Sequence, residues 1–218
     1  MLVNLEDLRE NYDALTLVEA DALADPILQF QNWMEAAIAA KLPEPNAMIL
    51  ATAQTNGQPS ARVVLLKGLQ PEGFIFYSNY ESAKAQQMEA NAKVALVFNW
   101  LELHRQVRVE GTVAKLSAEQ STAYFQSRPK GSQIGAWASP QSQVILDRSI
   151  LEDNVVALKA KYEQQEQLPR PENWGGYIIK PQLIEFWQGR PSRLHDRLRY
   201  TKPTNETETN WQIDRLAP

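Results

Sequence analysis

The sequence predicts an α+β fold with an antiparallel β barrel at its centre, and three observations carry that reading. Five strand-like apolar segments fall before residue 116 and are joined by short turns, which argues for a barrel or sandwich. Segments with helical apolar spacing stand before and between the strands, which makes the plan α+β. The 218 residues, 44% hydrophobic and 22% charged, have the composition of a globular chain able to bury a sizeable core.

In chain order, Asp25-Pro26 opens the first stable helix as an N-cap followed by proline at the first helical position. Ile27, Phe30, Trp33, Met34, Ala37 and Ile38 then recur at helical spacing and give it one apolar face. Residues 1–24 read as an N-terminal arm able to move, and residues 25–218 as a single domain, because no repeat, low-complexity tract or linker interrupts them. From Ala47 the pattern turns to strands: "AMILATAQ", "SARVVLLK", "GFIFYS", "KVALVFNW" and "RQVRVEGTVAKL", with Asn56-Gly57 marking the first reversal. "YIIKPQLIEFWQ", "RLHDRLRY" and "WQIDRL" supply later strands. Helices are expected at Ser82 to Asn91, Ser117 to Arg128 and about Arg148 to Gln164, the second opening on a Ser117/Gln120 capping box.

Charge narrows the function. Residues 1–60 hold 2 basic and 9 acidic residues against 20 and 17 in residues 61–218, so an acidic N-terminal part (-7) precedes a mildly cationic body (+3). With no dense Lys/Arg stripe, that suits small phosphorylated ligands better than nucleic acid. The absence of cysteine excludes disulfides and thiolate chemistry and points to a reducing compartment. The N-terminus lacks the features of a secretory signal and no apolar stretch is long enough to span a bilayer, so a cytoplasmic protein is expected and Asn205-Glu206-Thr207 is a chance sequon. With only His104 and His195 available, a histidine metal site is not expected, and phosphate-loop, dinucleotide and serine-hydrolase motifs are missing. Redox chemistry would need a borrowed organic cofactor.

Three clusters could hold an anion. Ser82 as N-cap places Lys84 in the first turn of a helix, where a cation is disfavoured unless a phosphate binds there; a lysine reaching into water is the alternative. Arg62 and Lys67 flank an apolar strand at an odd separation, so they serve different groups or merely end the strand in solvent. Tyr124 and Arg128 lie four apart on a helix that Pro129 stops, and a turn through Gly131 can return Ser132 to them as a phosphate cradle; a Tyr/Arg pair stacked on a helix surface is the commoner arrangement. Finally, if "RLHDRLRY" is a strand, Arg193, His195 and Arg197 share one face, which is either an anion site or a charged edge.

The ordered segments "RVVLLK", "FYSN", "SAKA", "RQVRVEG", "YFQSRPKGSQIGAWAS", "WGGY", "IEFWQG", "RLHDR" and "IDRLAP" closely resemble the pyridoxine/pyridoxamine 5'-phosphate oxidase family from about Arg9 to Pro218. The resemblance implies an FMN-binding split barrel, a homodimer with the flavin at its interface, and oxidation of pyridoxine or pyridoxamine 5'-phosphate to pyridoxal 5'-phosphate. Molecular oxygen would be the electron acceptor, giving hydrogen peroxide, with ammonia released from the amine. FMN contacts are implied for Arg62, Val63, Leu65, Leu66, Tyr77, Ser78, Lys84, Gln106, Gln141, Ser142, Trp187 and Arg197. Lys67, Tyr124, Arg128 and Ser132 are implied for the substrate phosphate, Arg193 and His195 for the catalytic side of the pyridine ring, and Arg9 with Tyr12 for closing over it. One departure stands out: the family commonly has arginine where this chain has Ala83. A non-catalytic FMN or pyridoxal phosphate carrier and an oxidase of another substrate are the rival classes, and the full substrate set argues against both.

Overall fold

The computed structural model describes Tyr12, residues 15–204 and residues 210–218; Arg9 and the sequon at 205–207 lie outside the described residues. Among the described residues nine strands join in one sheet: β1 (Ala47–Ala53), β2 (Pro59–Leu65), β3 (Gly68–Gln70), β4 (Gly73–Asn79), β5 (Lys93–Trp100), β6 (Arg105–Lys115), β7 (Trp174–Gln188), β8 (Asp196–Thr201) and β9 (Gln212–Arg215). They are ordered β2-β1-β5-β6-β7-β4-β3, with β8 added to β7 and β9 to β8. The pairs β3·β4, β4·β7, β7·β8 and β8·β9 are antiparallel. With five helices, α1 (Pro26–Ala39), α2 (Ala83–Ala90), α3 (Ala118–Ser127), α4 (Lys130–Ala138) and α5 (Ser149–Lys161), this is the expected α+β split-barrel class. Among the described residues no helix is long and apolar enough to cross a membrane.

The chain divides into two compact units, one formed by the N-terminal part to Ile49 with Ala95–Glu110 and Pro181–Pro218, the other by Leu50–Val94 and Gly111–Lys180. In the first, the Asp25 carboxylate accepts the Ile27 N–H at 2.8 Å, capping α1 as its sequence predicts. The α1 face buries Ile27, Phe30, Trp33 and Ala37, whereas Met34 is half-buried and Ile38 is exposed at the helix end. Phe30 meets Phe98 at 4.7 Å between ring centroids, and Phe186 lies edge-on between Trp33 at 5.2 Å and Tyr200 at 5.5 Å. Burial without a charged partner pushes the Tyr200 hydroxyl up to about 12, and that hydroxyl donates to the Leu23 carbonyl. Leu17 is buried, its N–H donating to Asp196, and Arg215 grips Glu19 through two nitrogens at 2.6 and 2.8 Å.

In the second unit a cluster of Phe125, Ile134, Tyr162, Leu168 and Trp174 joins α3, α4 and α5 to the start of β7. The Ser117/Gln120 capping box is present at α3. Two elements were not expected. β3 is three residues long, too short for any periodicity. α4 begins one residue past Pro129, where Pro129 and Gly131 read as a turn; proline ends α3 but is compatible with the start of the next helix, and Gly131 is simply helical. The "RLHDRLRY" stretch is strand only from Asp196, because Ser192 and Arg193 adopt left-handed backbone with φ of 56° and 61°. The shared strand face expected for Arg193, His195 and Arg197 therefore does not exist as an alternation.

Replacing Phe186 by alanine removes a fully buried ring from between two others, and a loss of about 3–5 kcal/mol is expected. Urea unfolding of Phe186→Ala should show that loss as a lower midpoint at unchanged slope.

Candidate active site

The second unit encloses a cavity of about 660 Å³, a volume within the range of small-molecule sites. One wall is aromatic. Tyr77 and Tyr124 stack at 3.7 Å between centroids with planes 12° apart, and Trp174 continues the stack at 5.6 Å from Tyr77. Gly176, opposite Tyr77 in the β4·β7 register, makes this possible: a Cβ there would come within 2.8 Å of the Tyr77 ring. The Arg128 guanidinium lies over Trp174 at 4.6 Å.

The polar rim is cationic and lacks acids. Lys67, Tyr124, Arg128 and Ser132 all line this cavity. Arg128 Nη1 is buried without an acceptor among the described residues, and burial lowers the Arg128 pKa, so part of this charge is withdrawn from water without a counter-charge there. Ser132 sits in the first turn of α4, whose N-terminus has no side-chain cap because proline occupies the N-cap position. Uncapped N–H groups beside a guanidinium and two hydroxyls form an anion position.

A second cationic group borders the same cavity. Lys84, at the second position of α2, donates to Ser78 Oγ at 3.2 Å, Ser82 Oγ at 3.3 Å and Gln141 Oε1 at 3.2 Å. Arg62 donates to the Leu50 carbonyl, Thr52, Ser60 and Gln87. Every one of these acceptors is neutral. Burial, then the Arg62 charge, lowers the Lys84 pKa, and burial lowers that of Arg62. Two desolvated cations repelling each other across neutral acceptors are stabilised by an arriving dianion, so the residues fit the phosphate of a flavin mononucleotide.

The first unit carries the remaining groups. Tyr12 packs edge-on to His104 at 4.5 Å, His195 at 5.7 Å and Trp187 at 6.2 Å, and Trp187 lies 4.6 Å from His195. Tyr12, His104, Gln106 and Trp187 line a cavity of about 190 Å³. Gly189 permits the cluster, since a Cβ there would approach His104 Cβ to 2.8 Å and Tyr12 Cγ to 3.0 Å. His195 Nδ1 accepts the Arg190 N–H at 3.1 Å. A backbone N–H can only donate, so Nδ1 carries a lone pair and the neutral ring bears its proton on Nε2. Burial, then the Arg193 charge, lowers the His195 pKa and keeps it so.

The structure thus brings Val63, Leu65, Tyr77, Ser78, Lys84 and Gln141 to one cavity with Lys67, Tyr124, Arg128 and Ser132. Arg62 stands outside that lining, held by Thr52 and Gln87, and acts on it through its charge on Lys84, while Lys67 lines the cavity itself. Leu66 is a core side chain and Ser142 an exposed one with φ 71°; neither lines the cavity. Tyr12, Gln106, Trp187, His195 and Arg197 belong to the first unit, with Arg193 exposed in the 3-10 turn before β8. Sequence reasoning missed the α4 N-terminus, hidden behind proline and glycine, and Trp174, whose only signal was its place in "WGGY".

Fold and site together define a split-barrel protein with a cavity lined by cations and no acids. The family model for pyridoxamine 5'-phosphate oxidase matches residues 34–162, and that for the pyridoxine 5'-phosphate oxidase C-terminal dimerisation region matches residues 174–218. The pyridoxine/pyridoxamine 5'-phosphate oxidase of Acaryochloris marina is 56% identical over 215 residues, covering 99% of this chain and 96% of the relative. That of Salinibacter ruber is 54% identical over 214 residues, covering 98% and 99%. Among solved structures, PhzG from Burkholderia lata in complex with tetrahydrophenazine-1-carboxylic acid superposes with a TM-score of 0.88 at 29% identity, covering 96% of this chain and 100% of that one. The chain belongs to the pyridoxine/pyridoxamine 5'-phosphate oxidase family.

The ring state of His195 is directly measurable. With only two histidines, 15N-histidine labelling and a His104→Gln control assign it, and at neutral pH an unprotonated Nδ1 and protonated Nε2 are expected. A protonated Nδ1 would contradict the Arg190 hydrogen bond.

Proposed function

We propose that the protein is an FMN-dependent oxidase that converts pyridoxine 5'-phosphate or pyridoxamine 5'-phosphate to pyridoxal 5'-phosphate, with molecular oxygen as acceptor. The observation that carries this reading is a single cavity lined by Lys84 on one side and by Lys67 and Arg128 on the other with no acid among its lining residues, Arg62 standing behind Lys84 and adding to its charge. Two such positions suit two phosphate monoesters, one on the cofactor and one on the substrate.

In this reading Ser78, Lys84 and Gln141, with Arg62 behind them, hold the FMN phosphate end, Val63, Leu65 and Tyr77 bound the rest of the cofactor, and Leu66 and Ser142, which do not line the cavity, support the segments on either side. Gln106, Trp187 and Arg197 are further cofactor contacts in this reading. FMN held there would supply a two-electron acceptor for the hydride at C4' of the substrate, with oxygen as the final acceptor and hydrogen peroxide as its product. Lys67, Tyr124, Arg128, Ser132 and the α4 N-terminus fix the substrate phosphate and so set where C4' lies, the effect that governs such transfers most. Arg193 covers the pyridine ring, and His195 offers an Nε2–H donor to orient the C4' substituent, which makes it a poor base in this state. Tyr12, with Arg9, closes the arm over the ring and excludes water. The dimerisation-region match over 174–218 supports a homodimer.

The likeness to PhzG favours one alternative, oxidation of a carboxylated ring without phosphate. Oxygen consumption separates the two: rapid uptake with pyridoxine 5'-phosphate is expected, and none with that compound would overturn the proposal. Arg128→Met should raise KM for the phosphorylated substrate by about 10- to 150-fold with a smaller change in kcat, the value of one charge-assisted hydrogen bond. Ala83→Arg, which adds a cation beside Lys84 on the exposed start of α2, should tighten FMN binding by about 10-fold or more in a fluorescence titration.

A further inference from the structure

The face of the first unit that carries Gln106, Trp187 and Arg197 also carries a buried acid. Alternation sets Gln106 with Arg108 on β6 and Trp187 with Glu185 on β7, and the antiparallel register places Trp187 opposite Arg197 and Glu185 opposite Arg199. Glu185 is 4% exposed. Its Oε1 accepts from Arg197 Nε at 2.8 Å and its Oε2 from Arg108 Nη1 at 3.2 Å. On its far edge the Arg197 guanidinium donates from Nη1 to the Ala217 carbonyl at 2.9 Å, while the Leu216 N–H donates back to the Arg197 carbonyl at 3.0 Å.

Two of the three guanidinium nitrogens are therefore used inside the protein, each by a different edge of the group. Nη2 has no acceptor among the described residues. An arginine on a free stem loses rotamer freedom when a ligand arrives; one locked at Nε and Nη1 has lost it on folding. Burying a carboxylate merely to make an ion pair is a weak route to stability. Spent on an arginine that must be ready for a ligand, the same cost has a function.

We propose that Glu185, with the Leu216–Ala217 tail as a second hold, is a positioning residue that presents Arg197 Nη2 to the flavin. This rests on the FMN reading above and adds a residue to it. The test is a double-mutant cycle on the full-length protein, titrating FMN by fluorescence and recording visible circular dichroism of the bound flavin. Arg197→Met should weaken FMN binding. Glu185→Gln, which keeps shape and loses the charged acceptor, should weaken it by about 10-fold alone and less than about 2-fold in the Arg197→Met background, with an altered flavin spectrum. Equal loss in both backgrounds, or no loss from Glu185→Gln while Arg197→Met binds poorly, overturns the positioning role. Unchanged affinity in Arg197→Met overturns the FMN reading of that arginine instead. Should Glu185→Gln fail to fold, Arg197→Lys decides: it keeps the charge but cannot make the Nε bond, and is expected to bind FMN as poorly as Arg197→Met. Wild-type affinity and spectrum in Arg197→Lys would show that the fixed orientation is not needed.

Discussion

Positive charge held in a partly desolvated cavity without acids is the constraint on which the rest of this molecule depends. Arg62, Lys84 and Arg128 are each partly buried with lowered pKa, and none of the three meets a carboxylate among the described residues. Such an arrangement is costly in the free protein. It persists because neutral acceptors, namely the Thr52, Ser60, Ser78 and Ser82 hydroxyls and the Gln87 and Gln141 amides, solvate the charges without cancelling them. Partial solvation keeps the side chains in place and leaves their electrostatic field available to a phosphate. A single buried glutamate among them would stabilise the apoprotein and occupy the position that the ligand needs.

The acids of this protein stand elsewhere. In the first unit Glu185, Asp196 and Asp214 each meet an arginine, and those pairs fix strand register and the C-terminal tail. Arg215 joins Glu19 and Asp196, tying the described part of the N-terminal segment to β8 and β9. Arg197, Arg199 and Arg215 of the first unit are thus acid-paired, whereas Arg62 of the second is held by neutral groups and Arg128 Nη1 has no acceptor among the described residues. Aromatic packing serves both. The Tyr77/Tyr124/Trp174 stack and the Tyr12/His104/Trp187/His195 group each depend on a glycine in or next to β7, because only a residue without Cβ lets a ring lie against the strand backbone.

Local signals were legible wherever a short-range interaction decides structure. Asp25-Pro26 starts α1, Ser117 and Gln120 start α3, and the alternating or continuous apolar runs are strands, since capping and side-chain period act within a few residues. Reasoning failed where local signals compete. Pro129 and Gly131 resemble a turn and stand at a helix start, and "RLHDRLRY" alternates like a strand although positive φ at Ser192 and Arg193 delays β8 to Asp196. The site residues were named through ordered motifs; spacing alone left Lys84, Arg128 and His195 each with an ordinary structural explanation.

The sequence by itself determined the class of the fold, the secondary elements with strong caps or periods, the lack of thiol chemistry, and the family. Tertiary structure decided which cations stay unneutralised, which nitrogen of His195 carries the proton, and which arginine is locked by Glu185. Those are matters of which groups from distant segments come within about 3 Å, the reach of a hydrogen bond, and no local pattern in the chain encodes that distance.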